Sequence, residues 1–551
     1  MKLPGGRLIY VVIIVAILGV AGFLVYQQFM AKSYVELVNV DFVLESRNWR
    51  ILRIIKVTIR NTGSDNATIN LVTVNGRTLN TWGPRGLIIY PGEVKTIEIY
   101  YPWKGEECNV VIETNVGKVE FKKKSPEVRK ISIGIQNTAG EDIDEIVSFG
   151  LFFADGEVKP GEVRVLDENG VEVLNQMWGI VTYQSGYVKT AVISFPLKLP
   201  KGGYAEYTLI LGEKPTLLGS LEGVIIERTG EYTFVDNGYY RVRFNESDSV
   251  KRGHGSIDYF GNGKVNLAKI FKPKGAPPSG GLAFLHGFID SMVESDGKMY
   301  AILQKTEIWV ESQGPLLFVY ARKWNLRTLG YVYEFYAIPA DKPYMFYEAV
   351  FDVEHHFAVG PGAGKPGVGE ADYRYYNPSG MGGMAVPHLA VVRALFFVID
   401  TGDIYSPTYP GVDIWIKHPI AACRDYDLGA GIMLLANDPT NPLGYWHITL
   451  HKFPWYDWFG GIPGPEEEPA VEFTTIAGIH ERMLCYQGQD IYGEPYAQER
   501  EVVPRGAVRI NEGTYSWVFV VRAIFGEDAV TALKHLNKVY GEIELTVTIK
   551  D

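Results

Sequence analysis

Histidine is unevenly distributed along this chain, and its side chain suits acid–base chemistry near neutral pH. None of the 10 histidines precedes residue 254. A later stretch holds His286, His355, His356, His388, His418, His447, His451 and His480. Because imidazole titrates near neutrality, such groups can supply a general base for proton abstraction, or ligands for a metal. Packing or hydrogen bonding within the framework is the alternative for each of them.

Three of these histidines are candidate catalytic residues. His355 and His356 follow Glu354 in a predicted strand, where neighbouring side chains point to opposite faces, so only one imidazole lies on the solvated face. His286, in the string AFLHGFID, lies where a strand runs into a loop, and loops on rigid sheets collect binding residues. The chain has no P-loop, no Gly-x-Ser-x-Gly elbow and no His-Glu-x-x-His, and we predict no metal site and no cofactor.

Two aromatic clusters are candidate carbohydrate-binding loops. They are Tyr373, Tyr375 and Tyr376 in ADYRYYNPSGMGG, and Trp455, Tyr456, Asp457 and Trp458 in HKFPWYDWFGG. Aromatic faces offer a large contact area to sugar rings, and neighbouring polar groups fix hydroxyls or carboxylates. Arg374 is the candidate that neutralises a sugar carboxylate in a catalytic reading. Loop packing or a subunit contact is the alternative for both clusters.

Composition narrows the possible partners. Apolar residues make up 46% of the 551 positions and charged residues 21%, which is ample for packed cores. The net charge of -11, without a concentrated basic stripe, argues against nucleic acid as a partner. The 3 cysteines are too few for a disulfide framework, although Cys423 and Cys485 form a possible pair, which leaves Cys108 as a small buried side chain.

The N-terminal residues predict a membrane anchor. Residues 8–26 carry no charge, and at 1.5 Å per residue such a helix approaches the roughly 30 Å thickness of the hydrocarbon core. Lys2 and Arg7 precede it, so the positive-inside bias predicts a cytoplasmic N-terminus and an extracellular remainder. The expected localisation is the cell membrane, single-pass, with the lipid bilayer as partner of residues 8–26. A cleaved secretory signal is the alternative.

The rest of the chain predicts an all-β fold. Short runs alternate apolar and polar residues between Gly, Asn, Asp and Pro turn signals, and one soluble helix is predicted at EDAVTALKHLNKVY, residues 527–540. We predict a tail and transmembrane helix at 1–32, a small pilin-like or immunoglobulin-like β-sandwich at 33–125, a small β-barrel domain at 126–220, and a large antiparallel β-supersandwich with the C-terminal helix and strand at 221–551.

Two resemblances refine this picture. The basic tail and apolar helix followed by RNTGSDNATINLVTVNG and YPGEVKTIEI resemble archaeal type IV pilin-like surface proteins. The strings GLFFADGEV, VRVLDENGVEV and GYVKTAVISFPLKLPKGGYAEYTLILG resemble the N-terminal barrel of exo-acting rhamnogalacturonan lyase-like proteins. The strands EYTFVDNGYYRVRF, TEIWVESQGPLLFVYARKW, YVYEFYAIPADKPYMFYEAVFDVEHHF and GTYSWVFVVRAIFG resemble that family's central supersandwich, a fold of the galactose-mutarotase-like type.

Two functions follow from these observations. The resemblance to the lyase-like family implies an extracellular protein that binds or processes polysaccharide or another glycan, whether or not it is catalytic. A structural cell-envelope component is the alternative, pilin-like or associated with a surface layer, that assembles with copies of itself or with envelope proteins through its β-domains. The family's helical toroid domain has no counterpart in this sequence, which favours the second function, while the extent of the resemblance favours the first.

Overall fold

The structure of the chain is a computed structural model, and it describes most residues between 34 and 550. The described residues are 34–247 without 80 and 85, 256–267, 283–284, 291–294, 299–301, 307–325, 330–354, 357–359, 375–376, 389–392, 395–398, 403–405, 413–416, 419–436, 446–453, 468–474, 508–510 and 512–550. The fold is predominantly β in these ranges, which confirms that part of the sequence prediction.

The chain divides into two compact units. Unit 1 comprises the described parts of Met1–Val43, Ile54–Tyr101 and Gly105–Pro126, and unit 2 those of Leu44–Arg53, Pro102–Lys104 and Glu127–Asp551. The four-domain division proposed from the sequence stays a prediction.

Unit 1 is built from the strands of two antiparallel sheets. Its strands are β1 (Val35–Arg47), β2 (Arg50–Asn61), β3 (Ala67–Val74), β4 (Arg77–Leu79), β5 (Trp82–Gly83), β6 (Ile88–Ile89), β7 (Val94–Tyr100), β8 (Glu107–Thr114) and β9 (Gly117–Lys124). One sheet has the order β4-β3-β8-β9 with β6 beside β3, and the other joins β5, β7 and β2 with β1 beside β2. Alternate residues such as Val57, Ile59, Ile97 and Ile99 are fully buried, as period-2 patterning requires. The first residues of β2 and the last of β1 belong to unit 2.

The seven strands that follow the last residues of unit 1 in the sequence are part of unit 2, and they belong to two different sheets. They are β10 (Lys130–Asn137), β11 (Ile143–Phe152), β12 (Val163–Leu166), β13 (Glu172–Val173), β14 (Gln176–Thr182), β15 (Val188–Leu199) and β16 (Tyr204–Leu211). Strands β14, β15 and β11 are neighbours in one sheet, and β13, β12, β16 and β10 in the other. The C-terminal strand β40 (Ile543–Lys550) pairs antiparallel with β10, so the end of the chain completes this second sheet.

A four-stranded antiparallel meander follows. It consists of β17 (Ile225–Thr229), β18 (Tyr232–Asp236), β19 (Arg241–Asn245) and β20 (Ser256–Gly261).

A nine-stranded antiparallel sheet dominates the remainder of unit 2. Its order is β24-β25-β26-β27-β39-β35-β34-β31-β32, from β24 (Glu307–Gln313), β25 (Leu317–Asn325), β26 (Gly330–Pro339), β27 (Tyr344–Val353), β31 (Leu395–Val398), β32 (Asp403–Tyr405), β34 (Ile420–Asp425), β35 (Leu428–Ala436) and β39 (Gly513–Phe525). The long strands β25, β26, β27 and β39 are the stretches whose Tyr, Phe and Val content gave the strongest strand signal. Trp178 and Trp517 are among the fully buried side chains of unit 2.

Shorter strands complete unit 2. They are β21 (Ala283–Phe284), β22 (Ser291–Glu294), β23 (Met299–Ala301), β28 (Phe357–Val359), β29 (Tyr375–Tyr376), β30 (Leu389–Val392), β33 (Asp413–Ile416), β36 (Trp446–Phe453), β37 (Glu468–Thr474) and β38 (Val508–Ile510). They form a five-stranded sheet in the order β21-β30-β37-β36-β33, a three-stranded sheet in the order β23-β22-β29, and the pair β28-β38.

The predicted C-terminal helix is present as α1 (Ala529–Leu536), followed by a π-helical turn at Asn537–Gly541. Asp528 caps its N-terminus, because its side chain accepts a hydrogen bond from the Thr531 N–H at 2.8 Å. Ala532 and Leu533 pack into a cluster with the sheet residue Ile524.

The predicted single-pass membrane localisation requires correction. Across the described residues, no helix has the length and apolar character needed to cross a bilayer, which contradicts that localisation. The predicted span, residues 8–26, lies outside the described residues.

Candidate functional site

Most of the site residues predicted from the sequence lie outside the described residues. These are His286, His355, His356, Tyr373, Arg374, Trp455, Tyr456, Asp457 and Trp458. The backbones of Tyr375 and Tyr376 form strand β29, which pairs with Glu294 and Val293 of β22, so this part of the expected loop is a short strand. The assignments of these residues stay predictions. Cys108 and Cys423 are buried free thiols, while Cys485 lies outside the described part of the chain.

A different group of chemically suited side chains lies on one face of the nine-stranded sheet. Strand β26 alternates, so Tyr331, Tyr333 and Phe335 point to one face. Directly paired residues of antiparallel strands share a face, and Lys323 lies opposite Tyr333. Trp309 lies opposite Ala321, which in turn lies opposite Phe335. We call Trp309, Lys323, Tyr331, Tyr333 and Phe335 the aromatic face.

The rings of the aromatic face contact one another along and across the strands. The centroids of Tyr331 and Tyr333 are 6.3 Å apart. Tyr333 and Phe335 are nearly parallel at 6.4 Å, and Trp309 meets Phe335 edge-on at 6.2 Å. Phe335 is buried, whereas Trp309, Tyr331 and Tyr333 stay partly exposed. The sheet therefore presents a fixed aromatic surface with access to solvent.

Polar groups surround these rings. The Lys323 ammonium lies 4.1 Å from the centroid of Tyr331 and 5.6 Å from that of Tyr333, within cation–π range. Asp352 lies opposite Tyr331 on β27. Both Asp352 carboxylate oxygens accept hydrogen bonds from the Lys189 ammonium at 2.8 Å, and Oδ1 also accepts one from Thr514 Oγ1 at 2.8 Å.

Two carboxyl groups lie next to the aromatic face. Glu348 of β27 is opposite Phe335 and therefore on the same face of the sheet. Glu311 is the extra residue at an irregularity of β24, where the pairing shifts between Val310 and Ser312. Glu311 lies two positions after Trp309, so strand alternation directs it to the same face. The two Glu311 oxygens accept hydrogen bonds from the backbone N–H groups of Gly179 and Ile180, each at 2.8 Å.

Glu348 occupies a closed polar pocket beneath Gly179. Its Oε1 accepts a hydrogen bond from Ser516 Oγ at 2.6 Å, and within the described part of the chain its Oε2 has no hydrogen-bond partner. Gly179 has a φ of +65°, and a β-carbon there would overlap the Glu348 carboxylate. The position therefore requires glycine both for its backbone conformation and for the close approach of β14 to the sheet.

Arg50 approaches the same pocket from the start of β2. Its guanidinium donates hydrogen bonds to Ser516 O at 3.1 Å and Ser516 Oγ at 3.0 Å. Its Cζ atom lies 4.9 Å from the Phe152 ring centroid, so the buried guanidinium also makes a cation–π contact with Phe152. Arg50 and Glu348 are both fully buried.

Burial governs the protonation of the two carboxyl groups. Removal from water raises the pKa of Glu348 to about 8, and the Ser516 hydrogen bond and the Arg50 charge offset only part of this rise. Removal from water also raises the pKa of Glu311 to about 7, against the lowering effect of the Ile180 and Gly179 N–H groups. Glu348 is thus mainly protonated at neutral pH, and Glu311, which stays partly exposed as a residue, is close to half-protonated.

The opposite face of the sheet is a buried core. Arg322 and Glu334 form an ion pair there, both essentially inaccessible to water, and Tyr347 Oη donates to Glu334 at 3.3 Å. Tyr320 stacks on Phe244 with 3.9 Å between centroids. Because its members are enclosed on all sides, we assign this network to stability of the fold.

The sequence contained a signal for the aromatic face that our sequence analysis missed. The strings TEIWVESQG and YVYEFY predict only strands of the supersandwich, with no candidate site residue among them. An aromatic residue at every second position of a strand, beside a lysine of the previous strand, is typical of a sheet face whose aromatic rings stay partly exposed to solvent. Within the described residues, no cluster of three or more His, Cys, Asp or Glu side chains is arranged to hold a metal ion.

Comparisons with known proteins add little to this geometry. No family model and no curated protein matches the chain. An alpha-mannosidase from Enterococcus faecalis V583 is similar in structure, with a TM-score of 0.35 and 11% identity over 78% of this chain. A glycosyl hydrolase family 38 protein from Enterococcus faecalis gives a TM-score of 0.35 and 11% identity over 77%. The chain spans about half of each, 47% of their length. A likeness this low carries no argument about activity.

Proposed function

We propose that this protein binds carbohydrate and that the aromatic face is its binding surface. The observation that carries the proposal is the set of partly exposed rings of Trp309, Tyr331 and Tyr333, held in fixed positions by the register of a rigid sheet. The C–H faces of sugar rings pack on such aromatic surfaces, and a few placed polar groups then orient the hydroxyls. Asp352 and Glu311 supply acceptors at the edge of this surface.

The test is glycan binding by the protein and by single ring deletions. We expect the protein to bind at least one glycan on an array, and Trp309→Ala or Tyr333→Ala to weaken that binding about fivefold each, since a stacked ring contributes about 1 kcal/mol. Tyr90→Ala is the matched control, because this tyrosine is 55% exposed and belongs to unit 1. Circular dichroism confirms that each variant stays folded. An absence of glycan binding, or equal losses in all three variants, contradicts the proposal.

Glu311 supports a second, catalytic candidate function at the same surface. Burial raises the pKa of its carboxyl group to about 7, a value suited to a general acid or base at neutral pH. Each of its oxygens accepts one backbone hydrogen bond, which leaves acceptor capacity for a sugar hydroxyl or a proton. Turnover of a bound glycan, lost in Glu311→Gln while binding remains, is the result expected of a processing enzyme.

The resemblance to rhamnogalacturonan lyase-like proteins is compatible with carbohydrate binding and stays a proposal. In that reading a histidine such as His355 or His356 abstracts the proton, and Arg374 neutralises the uronic carboxylate. Absorbance near 235 nm, where the unsaturated product of β-elimination absorbs, tests it directly.

A further inference from the structure

We infer that the aromatic face selects neutral sugar chains over uronate chains. The inference rests on the proposed carbohydrate binding and adds the charge of the ligand. Its basis is the balance of charges around the rings, which is set by residues of β15, β24, β25 and β27 and by Glu354 after β27.

Three carboxylates lie near the edge of the aromatic face. Glu307 begins β24 with 73% of its side chain exposed, and it lies opposite Lys323. Asp352 lies opposite Tyr331, and Glu354 follows the end of β27 as an exposed residue. Glu354 lies beside Gly330, the residue before Tyr331, because Gly330 pairs with Val353. Burial raises the pKa of Tyr333, and the charges of Asp352, Tyr331, Glu307 and Glu354 raise it further.

Two lysines in the described part of the chain, Lys189 and Lys323, lie near the rings, and both have carboxylate partners. The Lys189 ammonium is 2.8 Å from Asp352. The Lys323 ammonium is 3.9 Å from Glu307, besides lying over the tyrosine rings. A uronate that used either lysine has to displace a carboxylate of the protein. The negative charge of Glu354, and that of Glu311 when it is ionised, then still repel the carboxylate of the uronate.

This balance predicts the direction and the approximate size of the selectivity. Two like charges about 4 Å apart in water repel with an energy that corresponds to about a fivefold change in affinity. Neutral hydroxymethyl groups meet no such repulsion and can donate hydrogen bonds to the same carboxylates. Because the carboxylates are near solvent, the discrimination must weaken as salt screens them.

The experiment compares matched ligands that differ only at C6. Gluco-, manno- and galacto-oligosaccharides are each paired with the uronic oligosaccharide of the same linkage and length, and their binding to the full chain is measured by calorimetry at low and high salt. In every series that binds, we expect the neutral member to bind about fivefold more tightly at low salt, with a smaller difference at high salt. Equal or tighter binding of the uronic member overturns the inference while leaving the carbohydrate proposal intact.

A charge-removing variant separates the local effect from net charge. Glu307→Gln with Glu354→Gln should narrow the difference between neutral and uronic ligands, because it removes two carboxylates beside the rings. Glu107→Gln with Glu113→Gln makes the same change in net charge at exposed positions of unit 1, and it should leave the difference unchanged. Equal narrowing in both variants counts against the inference. Failure of both members of every series to bind the unmodified protein refutes the carbohydrate proposal and the inference with it.

Discussion

Glu348 shows how position decides the chemistry of a single residue. The side chain is fully buried, Arg50 and Ser516 lie beside it, and the Cα atom of Gly179 closes the pocket. Water cannot solvate a negative charge there, so the neutral acid is favoured and the pKa rises to about 8. A carboxylic acid held neutral in this way is compatible with dense packing, whereas the carboxylate strains the same pocket.

The raised pKa of Glu348 predicts that unit 2 loses stability as the pH rises from about 4.5 to about 8. Because the folded-state pKa of about 8 lies above the ordinary value of 4.5, the stabilising contribution is complete below pH 4.5 and decreases until the pH exceeds about 8. We expect Glu348→Gln to match the unmodified protein near pH 5 and to exceed its free energy of unfolding at pH 9 by a few kcal/mol, on the order given by the shift. Urea unfolding at the two pH values measures this, and a constant difference between variant and parent contradicts it.

At the scale of elements, strand alternation was the part of the fold that the sequence could predict. Strands β25, β26, β27 and β39 coincide with strings whose aromatic and β-branched residues were interpreted as strands. Helix α1 lies inside the predicted 527–540 segment, since its apolar face and its Asp528 cap are local features. Its π-helical end at Asn537–Gly541 was not predicted.

The candidate site could not be predicted in the same way, because it depends on contacts between distant segments. Glu311 receives its hydrogen bonds from Gly179 and Ile180, more than 100 positions earlier in the chain. Alternation alone assigns Glu348 to one face of β27 but does not reveal whether another layer covers that face.

The attachment of α1 to the strands of unit 2 gives a prediction at acid pH. Glu145 of β11 accepts hydrogen bonds from Tyr344 at 2.7 Å and lies 3.3 Å from His535 of α1 and 2.7 Å from Lys342. Burial alone raises the pKa of Glu145, but His535, Lys342 and Tyr344 outweigh it and lower the pKa to about 2.

Since the folded-state pKa of Glu145 lies below 4.5, its contribution is present above that pH and is lost as the pH falls towards about 2. Glu145→Gln should lower the free energy of unfolding at pH 7 by a few kcal/mol, on the order given by the shift, and by little at pH 2. Glu141→Gln is the control, because its pair with Lys538 at 2.7 Å is exposed and such pairs contribute roughly 0–1 kcal/mol. Equal effects of the two variants at pH 7 would show that the buried contacts of Glu145 contribute no more to the free energy of unfolding than an exposed ion pair does.

At the scale of the whole molecule, unit 2 is discontinuous in sequence. Residues 44–53 and 102–104 belong to it although unit 1 occupies the sequence around them. Trp49 is buried, its Nε1 donates to Tyr540 O at 2.8 Å, and its ring lies 4.9 Å from that of Phe149. Turn and linker signals in the sequence cannot assign this segment, because nothing in its local sequence reveals which unit it packs into.

The discontinuity predicts that unit 2 does not fold when the chain starts at Glu127. Such a chain lacks the Trp49 ring and the Arg50 guanidinium, which leaves an unfilled core position and removes the donors to Ser516. Loss of a buried tryptophan side chain alone costs about 3–5 kcal/mol, a large share of the stability of a typical domain. We expect residues 127–551 to show no cooperative unfolding transition, whereas residues 34–551 unfold cooperatively, and Trp49→Ala in the longer chain to lower its denaturant midpoint. Cooperative unfolding of residues 127–551 at the midpoint of the longer chain would disprove this dependence.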